Sequence, residues 1–106
     1  MVDGRNRRVH QRALGPFDAA RIGPIDLPIR LYDLSLGGCF VNDTHDPPPR
    51  GRKFRLRIEL PEDVITVRAE AVYGRNGFGY AVRFVEFAED AEERLERALD
   101  RLAVPA

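Results

Sequence analysis

Arginine side chains crowd the first twelve residues of this sequence, where Asp3 is the single acidic residue. Arg8 and Arg12 stand four positions apart, and Arg5 and Arg7 precede them. Guanidinium groups bind phosphate and the O6/N7 edge of guanine through paired hydrogen bonds, and they also stack on purine faces. The segment is therefore a candidate for binding a phosphate or a guanine, although a solvated basic terminus has the same composition.

A second segment with suitable chemistry is Asp33-Leu34-Ser35-Leu36-Gly37-Gly38. An aspartate carboxylate accepts hydrogen bonds from guanine N1 and N2, a serine hydroxyl both donates and accepts, and glycine lets the backbone approach a bulky ligand. An ordinary turn at a strand end, in which Asp and Ser bind neighbouring amides, has the same residue types. Neither segment decides between these interpretations when it is taken alone.

The sequence offers little for catalysis. His10 and His45 are the only histidines and Cys39 is the only cysteine. None of them has the spacing of a metal site or of a nucleophile with its base. We therefore predict no catalytic residue, no metal ion, no cofactor and no enzymatic activity.

Hydrophobic and polar residues alternate over much of the chain, which predicts strands. Asn76-Gly77 favours a type I′ hairpin turn, because both residues tolerate positive φ. Three consecutive prolines, Pro47 to Pro49, indicate a loop over 42–51. The predicted strands cover residues 14–22, 29–35, 39–41, 54–60, 65–73 and 78–84.

The alternation also predicts which side chains face the core. Ile29 and Leu31 share one face of their strand with Asp33, and Leu34 belongs to the opposite face. Most aromatic residues fall on the same face as Leu and Val, so we interpret them as core rather than as a nucleic-acid stacking platform. These aromatic residues are Phe54, Tyr73, Phe78, Tyr80, Phe84 and Phe87.

From Ala88 onward the hydrophobic period changes from 2 to 3.6, which predicts an amphipathic helix over about 88–103. Acidic residues in its first turn, and Arg97 and Arg101 in its last, complement the helix macrodipole. Residues 1–13 have no hydrophobic period and are predicted to form a flexible arm. The expected architecture is a small, mainly β, antiparallel barrel over 14–106 that ends in this helix.

The overall composition excludes several classes of partner and location. A chain of 106 residues has room for one domain, and its formal net charge of zero argues against a nucleic-acid partner. A single cysteine excludes an intramolecular disulfide and fits a reducing compartment, so we expect a cytoplasmic protein. The N-terminus lacks the apolar core of a signal peptide, and no run is long enough to span a bilayer. Direct membrane insertion is therefore not expected.

Taken together and in this order, the two segments resemble the PilZ domain family, the bacterial receptors for cyclic di-GMP. Arg8 and Arg12 match the RxxxR motif of the family, and Asp33, Ser35 and Gly38 match its DxSxxG motif. The later run Gly79-Tyr80-Ala81-Val82-Arg83-Phe84 is similar to the GxxVxF strand of such domains. The resemblance covers nearly the whole chain and implies a six-stranded antiparallel β-barrel of the split-barrel type with a C-terminal α-helix.

The resemblance also implies the ligand and its binding residues. Cyclic di-GMP would lie between the arm and the barrel, with Arg8 and Arg12 on phosphate and guanine and with Asp33 and Ser35 on a guanine edge. In the family, an arginine immediately before the first motif arginine accompanies binding of a stacked pair of ligands. Arg7 occupies that position here, so we expect two intercalated ligand molecules.

Two alternatives remain open from the sequence. Some members of the family lack the arginine pair and act as nucleotide-independent adaptors of motility or pilus machinery. A small barrel that binds single-stranded nucleic acid is the more distant alternative. With no output domain in the sequence, a cyclic di-GMP receptor would act on a downstream protein, which the sequence does not identify, and the oligomeric state is left undetermined.

Overall fold

The computed structural model describes residues 11–45, 47–75 and 78–102. Its backbone forms six antiparallel strands followed by one helix, which confirms the expected fold class. The elements are β1 (Phe17–Ile22), β2 (Leu27–Tyr32), β3 (Gly38–Asn42), β4 (Lys53–Leu60), β5 (Asp63–Arg75), β6 (Gly79–Phe87) and α1 (Ala91–Leu102).

The strands close into a barrel in the order β1-β2-β3-β6-β5-β4. Closure depends on β1, which pairs with β2 on one side and with β4 on the other. Ala19 shows this double role, since it lies opposite Ile29 in β2 and opposite Ile58 in β4. Every strand therefore has two hydrogen-bonded neighbours, and the sheet has no free edge.

The interior of the barrel is filled by the alternating hydrophobic residues of the strands. Leu56 and Ile58 of β4 are completely buried, as the period of two in that strand predicts. Helix α1 contributes the buried residues Leu95 and Leu99 from one stripe, which confirms the predicted amphipathic pattern. The helix packs against β5 and adds its apolar face to the core of the barrel.

Helix α1 is fixed to the barrel by Arg94. Its guanidinium donates to both carboxylate oxygens of Asp63, at 2.7 and 2.5 Å, and to the Val64 carbonyl at 2.8 Å. The helix begins at Ala91 rather than near 88, because Glu89 has a φ of 43° and this left-handed conformation cannot belong to a right-handed helix. Among the described residues, no helix has both the length and the apolar character needed to cross a bilayer.

A buried polar cluster lies between β1, β6 and the loop after β3, centred on Asp43. The fully buried Asp43 carboxylate accepts hydrogen bonds from Arg21 at 3.0 Å and from the Tyr80 hydroxyl at 2.8 Å. The backbone amide of His45 donates a third bond at 2.9 Å. Burial alone would raise the pKa of Asp43, but these hydrogen bonds outweigh it and hold the pKa below its ordinary value.

Strand β2 ends earlier than the alternation predicts, and the difference decides which way Asp33 points. Asp33 has a φ of 57°, a left-handed conformation that Asp tolerates better than most residues. This kink turns Asp33 outward and Leu34 inward, where it is completely buried. Placing Asp33 on the face of Ile29 and Leu31 is therefore wrong.

Candidate functional site

The segment before β1 is fixed beside the segment after β2. Ala13 and Leu34 exchange two backbone hydrogen bonds of 2.9 and 2.8 Å, and the Asp33 amide donates to the Leu14 carbonyl at 3.1 Å. Ala13 and Leu34 are both buried, so this isolated bridge is anchored in the core. It brings Arg12, from the first motif, next to Asp33, from the second.

Arg12 and Asp33 form an ion pair on the barrel surface. The Arg12 Nη1 to Asp33 Oδ2 distance is 3.0 Å, and the two side chains are 56% and 52% exposed. A pair this exposed contributes little to stability, because water competes for both partners. The guanidinium and the carboxylate both keep open positions at which they can bind another molecule.

Ser35 and the two glycines after it form a tight turn into β3. The Ser35 hydroxyl donates to the Gly38 carbonyl at 3.2 Å and accepts from the amides of Gly37 and Gly38 at 3.2 and 3.3 Å. The side chain is buried, and its hydrogen bonds are those of the turn. In this structure Ser35 shapes the loop that carries Asp33.

Gly38 has a packing role at the same turn. A Cβ atom at this position would lie 2.1 Å from the carbonyl oxygen of Val82 in β6. Only glycine allows β3 to approach β6 this closely. The glycine of the second motif therefore sets the spacing of two strands beneath the surface that carries Arg12 and Asp33.

A cavity of about 640 Å³ opens on the outer face of the barrel at this place. It is open to solvent, and its lining includes the charged side chains of Arg12 and Asp33 and the aromatic side chains of Phe40 and Tyr73. Its volume is within the range of roughly 300–1,000 Å³ that is typical of small-ligand sites. The lining residues are Arg12, Asp33, Ser35, Gly37, Gly38, Cys39, Phe40, Tyr73, Ala81 and Val82.

An outward-facing row of side chains forms the apolar part of the cavity. Phe40 of β3 lies opposite Ala81 of β6, and Ala81 lies opposite Tyr73 of β5. Tyr73 is 61% exposed, which leaves an aromatic ring free at the rim. An exposed ring of this kind offers a stacking surface for a planar base.

The alternation of β5 predicts Tyr73 in the core, and this is wrong because the strand is irregular. The pairing of β5 with β6 shifts register between Ala71 and Tyr73, so Val72 is an extra residue in the ladder. A bulge of one residue exchanges the two faces of a strand beyond it. Phe78, 68% exposed, is a second exception, whereas Tyr80 is completely buried and Phe54, Phe84 and Phe87 pack against the core.

Cys39 lines the cavity but is not a reactive thiol. Burial, and to a smaller extent the nearby Asp33 carboxylate, raise the pKa of the Cys39 thiol well above its ordinary value. A thiol that stays protonated is a poor nucleophile and a poor metal ligand. Within the described residues, no three His, Cys, Asp or Glu side chains come together as a metal site.

The remaining residues of the predicted site, Arg7 and Arg8, lie outside the described residues, as does His10. The division of the chain into an arm over 1–13 and a barrel over 14–106 also stays a prediction, because residues 1–10 lie outside the described residues. Ala13, at the end of the predicted arm, is buried and paired with Leu34. The hairpin predicted at Asn76-Gly77 also lies outside the described residues. Of the six predicted site residues, the structure brings together Arg12, Asp33, Ser35 and Gly38.

The solved structures that share the architecture of this chain include the following two. The first is described as the Bacillus subtilis inhibitor of motility (MotI/DgrA), with a TM-score of 0.70 and 20% identity over 86% of this chain. The chain spans 48% of that protein, about half of its length. The second is the PilZ domain with c-di-GMP of YcgR from Escherichia coli, with a TM-score of 0.70 and 21% identity over 91% of this chain and 90% of that one.

Comparison with curated proteins gives no match. The model of one protein family, described as the PilZ domain, matches residues 6–101. This match takes in both motif segments, all six strands and most of α1. The barrel, the turn of Ser35 and the cavity beside Arg12 and Asp33 are therefore features of a protein that belongs to the PilZ domain family.

Proposed function

We propose that this protein is a receptor for cyclic di-GMP, which it binds in the cavity beside Arg12 and Asp33. The observation that carries the proposal is the placement of an exposed arginine, an exposed aspartate and the exposed ring of Tyr73 around one cavity. These three groups suit a phosphodiester, the donor edge of a guanine and a base plane, respectively. The similar Escherichia coli structure contains c-di-GMP, which supports the choice of ligand.

The roles follow from the chemistry of each side chain. Arg12 binds a phosphate or the guanine O6/N7 edge, and Asp33 accepts hydrogen bonds from guanine N1 and N2. Before binding, each is the other's partner at 3.0 Å. Asp33 therefore holds the Arg12 guanidinium at the mouth of the cavity, which lowers the entropy cost of fixing this side chain on the ligand.

Arg7 and Arg8 complete the proposed site. Arg8 precedes Arg12 by four residues, so a fully extended backbone places it at most about 14 Å away. We therefore assign both long guanidinium side chains to the proposed site. Arg7 would then contact a second ligand molecule stacked on the first, and a measured stoichiometry of one ligand per chain would remove this part of the proposal.

The proposed role is binding, not catalysis. PilZ domains are ligand-binding or adaptor domains, and the cavity combines a protonated, buried thiol with groups suited to recognition. The occupied cavity would present a new surface to a downstream protein, which we place in the cytoplasm with the receptor. Binding to a nucleic acid or insertion into a membrane has no part in the proposal.

Isothermal titration of cyclic di-GMP into the purified chain tests the proposal, with GTP and cyclic GMP as control ligands. We expect saturable binding of cyclic di-GMP and no binding of GTP or cyclic GMP. Arg12→Ala should weaken this binding by about a hundredfold, because charge-assisted hydrogen bonds of up to about 3 kcal/mol are lost. Arg8→Ala should have a similar effect.

Tyr73→Ala should weaken binding by about tenfold or more, as expected for loss of one stacked base. Arg57→Ala is the matched control, because Arg57 also forms an exposed pair with an aspartate, Asp26, at 3.1 Å but lies outside the cavity. Its affinity should equal that of the wild type. A chain that binds none of the three nucleotides would contradict the proposal and support the nucleotide-independent adaptor.

A further inference from the structure

The smallest side chain of β6 apart from glycine, Ala81, lies in the lining of the cavity. Its neighbours in the strand, Tyr80 and Val82, are both buried in the core. Successive side chains of a strand point to opposite faces, so Ala81 faces outward, and it is partly exposed. Packing of the core therefore does not require a small residue at this position.

Aromatic residues flank Ala81 on both sides. Phe40 of β3 and Tyr73 of β5 each lie directly opposite it. Neighbouring strands are about 4.8 Å apart, so the backbones of Phe40 and Tyr73 are separated by roughly 10 Å across Ala81. We call the space above Ala81 and between these two residues the aromatic gap. A methyl group fills little of it.

The ring of Phe40 leans along β6 towards Gly79. If residue 79 had a Cβ atom, Cε2 and Cζ of Phe40 would lie only 3.0 and 3.1 Å from it. The same Cβ would lie 2.1 Å from the Val41 carbonyl oxygen, and Gly79 has a φ of 132°. Only glycine allows this arrangement. Because the outer edge of the Phe40 ring lies beside Gly79, the ring leaves the aromatic gap open.

The aromatic gap belongs to the same cavity as Arg12 and Asp33. Asp33 offers an acceptor to the edge of a guanine, and the exposed ring of Tyr73 offers a plane to a base. Tyr73 and Ala81 line one cavity and lie opposite each other. A base that stacks on Tyr73 inside the cavity therefore occupies the space above Ala81.

We propose that Ala81 is a specificity-determining residue, whose small side chain gives a base of the ligand room beside Tyr73. This inference rests on the proposed function and identifies the position that limits the size of its site. Arg12 and Asp33 supply the attraction, whereas residue 81 supplies the space. A barrel of this sequence with a large residue at position 81 would keep both motifs and lose the nucleotide.

A series of larger side chains tests the proposal by isothermal titration with cyclic di-GMP. Ala81→Val should weaken binding by about tenfold and Ala81→Leu by about a hundredfold, because the added carbons displace the stacked base. The loss should grow with the size of the side chain. An affinity of Ala81→Leu equal to that of the wild type would overturn the proposal.

Unfolding measurements separate this effect from damage to the fold. Valine is favoured in strands, and position 81 faces outward. The urea midpoint of Ala81→Val should therefore stay at that of the wild type while its affinity falls. A loss of affinity that appears only together with a lower midpoint would overturn the proposal, because residue 81 would then act through the fold.

Thr66→Leu is the matched control for added bulk. Thr66 lies in β5 between the buried residues Ile65 and Val67, so it too faces outward, but it lines a separate groove. This variant should bind cyclic di-GMP with the affinity of the wild type. A loss as large as that of Ala81→Leu would overturn the proposal, since bulk anywhere on the outer face would then have the same effect.

Methyl resonances of the unmodified chain give a test that needs no substitution. The ring current of a bound base shifts the resonances of protons beside it. At saturation with cyclic di-GMP, the Ala81 methyl resonance should move and the Thr66 methyl resonance should stay in place. An Ala81 methyl resonance that does not move would overturn the proposal.

These experiments distinguish the inference from the function on which it rests. A wild-type chain that binds no cyclic di-GMP would overturn the proposed function and the role of Ala81 together. A wild-type chain that binds cyclic di-GMP, together with an Ala81→Leu variant that binds equally well, would overturn the role of Ala81 alone.

Discussion

Two arginine–aspartate pairs in this protein have the same geometry and opposite surroundings. Arg12 with Asp33, and Arg21 with Asp43, both join Nη1 to Oδ2 at 3.0 Å. The first pair is more than half exposed, whereas the Asp43 side chain is fully buried and Arg21 is 21% exposed. Bond length alone therefore does not distinguish a pair that holds the fold together from a pair that can exchange its partner.

The difference lies in what else each pair contacts. The Arg21 guanidinium lies over the rings of Phe54 and Tyr80, 5.5 and 5.9 Å from their centroids, and Asp43 accepts further hydrogen bonds. These contacts keep both charges satisfied inside the barrel. Arg12 and Asp33 have no such shell among the residues that the structure describes, so in the proposed site a nucleotide would replace one partner by another at little cost to the fold.

The largest effect is expected from Asp43→Ala. The substitution leaves the Arg21 charge and the Tyr80 hydroxyl without their buried acceptor, so the free energy of unfolding should fall by about 3 kcal/mol. Urea unfolding at neutral pH measures this change. A loss no larger than that of an exposed pair would show that the Asp43 cluster is not structural.

A smaller effect is expected from acid. The pKa of Asp43 in the folded protein lies below its ordinary value of 3.8, so ionised Asp43 stabilises the fold fully above that value. This contribution is lost as the pH falls from about 3.8 through the lower folded-state pKa. Asp43→Asn should flatten the fall in unfolding free energy over this window.

The other aspartates serve as the internal control for the acid experiment. The pKa values of Asp26, Asp63 and Asp90 are also lowered, each chiefly by a hydrogen bond from an arginine. They are unchanged in Asp43→Asn, so the difference between the two curves isolates Asp43. Parallel curves for the wild type and the variant would rule out the contribution of this carboxylate.

The smallest effect on stability is expected from Arg12→Ala. Loss of an exposed pair should change the free energy of unfolding by no more than about 0.5 kcal/mol. The same variant should bind cyclic di-GMP about a hundredfold more weakly in the titration proposed above. A variant that loses both stability and binding would show that Arg12 is part of the fold, and the contrast between the two pairs would disappear.

Much of the barrel could be predicted from local sequence. Strands β4 and β5 follow the period of two through most of their lengths, and the stripe of Leu95 and Leu99 identifies α1. Alternation and helical periodicity are local properties, so one sequence suffices to detect them. The closing of β1 onto β4 depends instead on contacts between distant segments, which local patterns do not specify.

The site was predictable in its motifs and less so in its geometry. From the sequence, only the family resemblance predicts that Arg12 and Asp33 lie close together. In the structure, the backbone bridge between Ala13 and Leu34 holds them side by side. Tyr73 was missed because a bulge at Val72 reverses the faces of β5, and bulges leave no reliable local signal. Asp33 was placed on the wrong face because a single positive φ interrupts the alternation.

The closed order of the strands determines which part of the molecule can respond to a bound ligand. A barrel without an edge resists partial opening, so its strand amides should exchange hydrogen with solvent only through global unfolding. The bridge of Ala13 and Leu34 is different, because it is a single pair outside the named strands and fewer hydrogen bonds hold it closed. A ligand bound in the neighbouring cavity would therefore slow the hydrogen exchange of the amides in this bridge. The exchange rates of the strand amides in the barrel would stay the same.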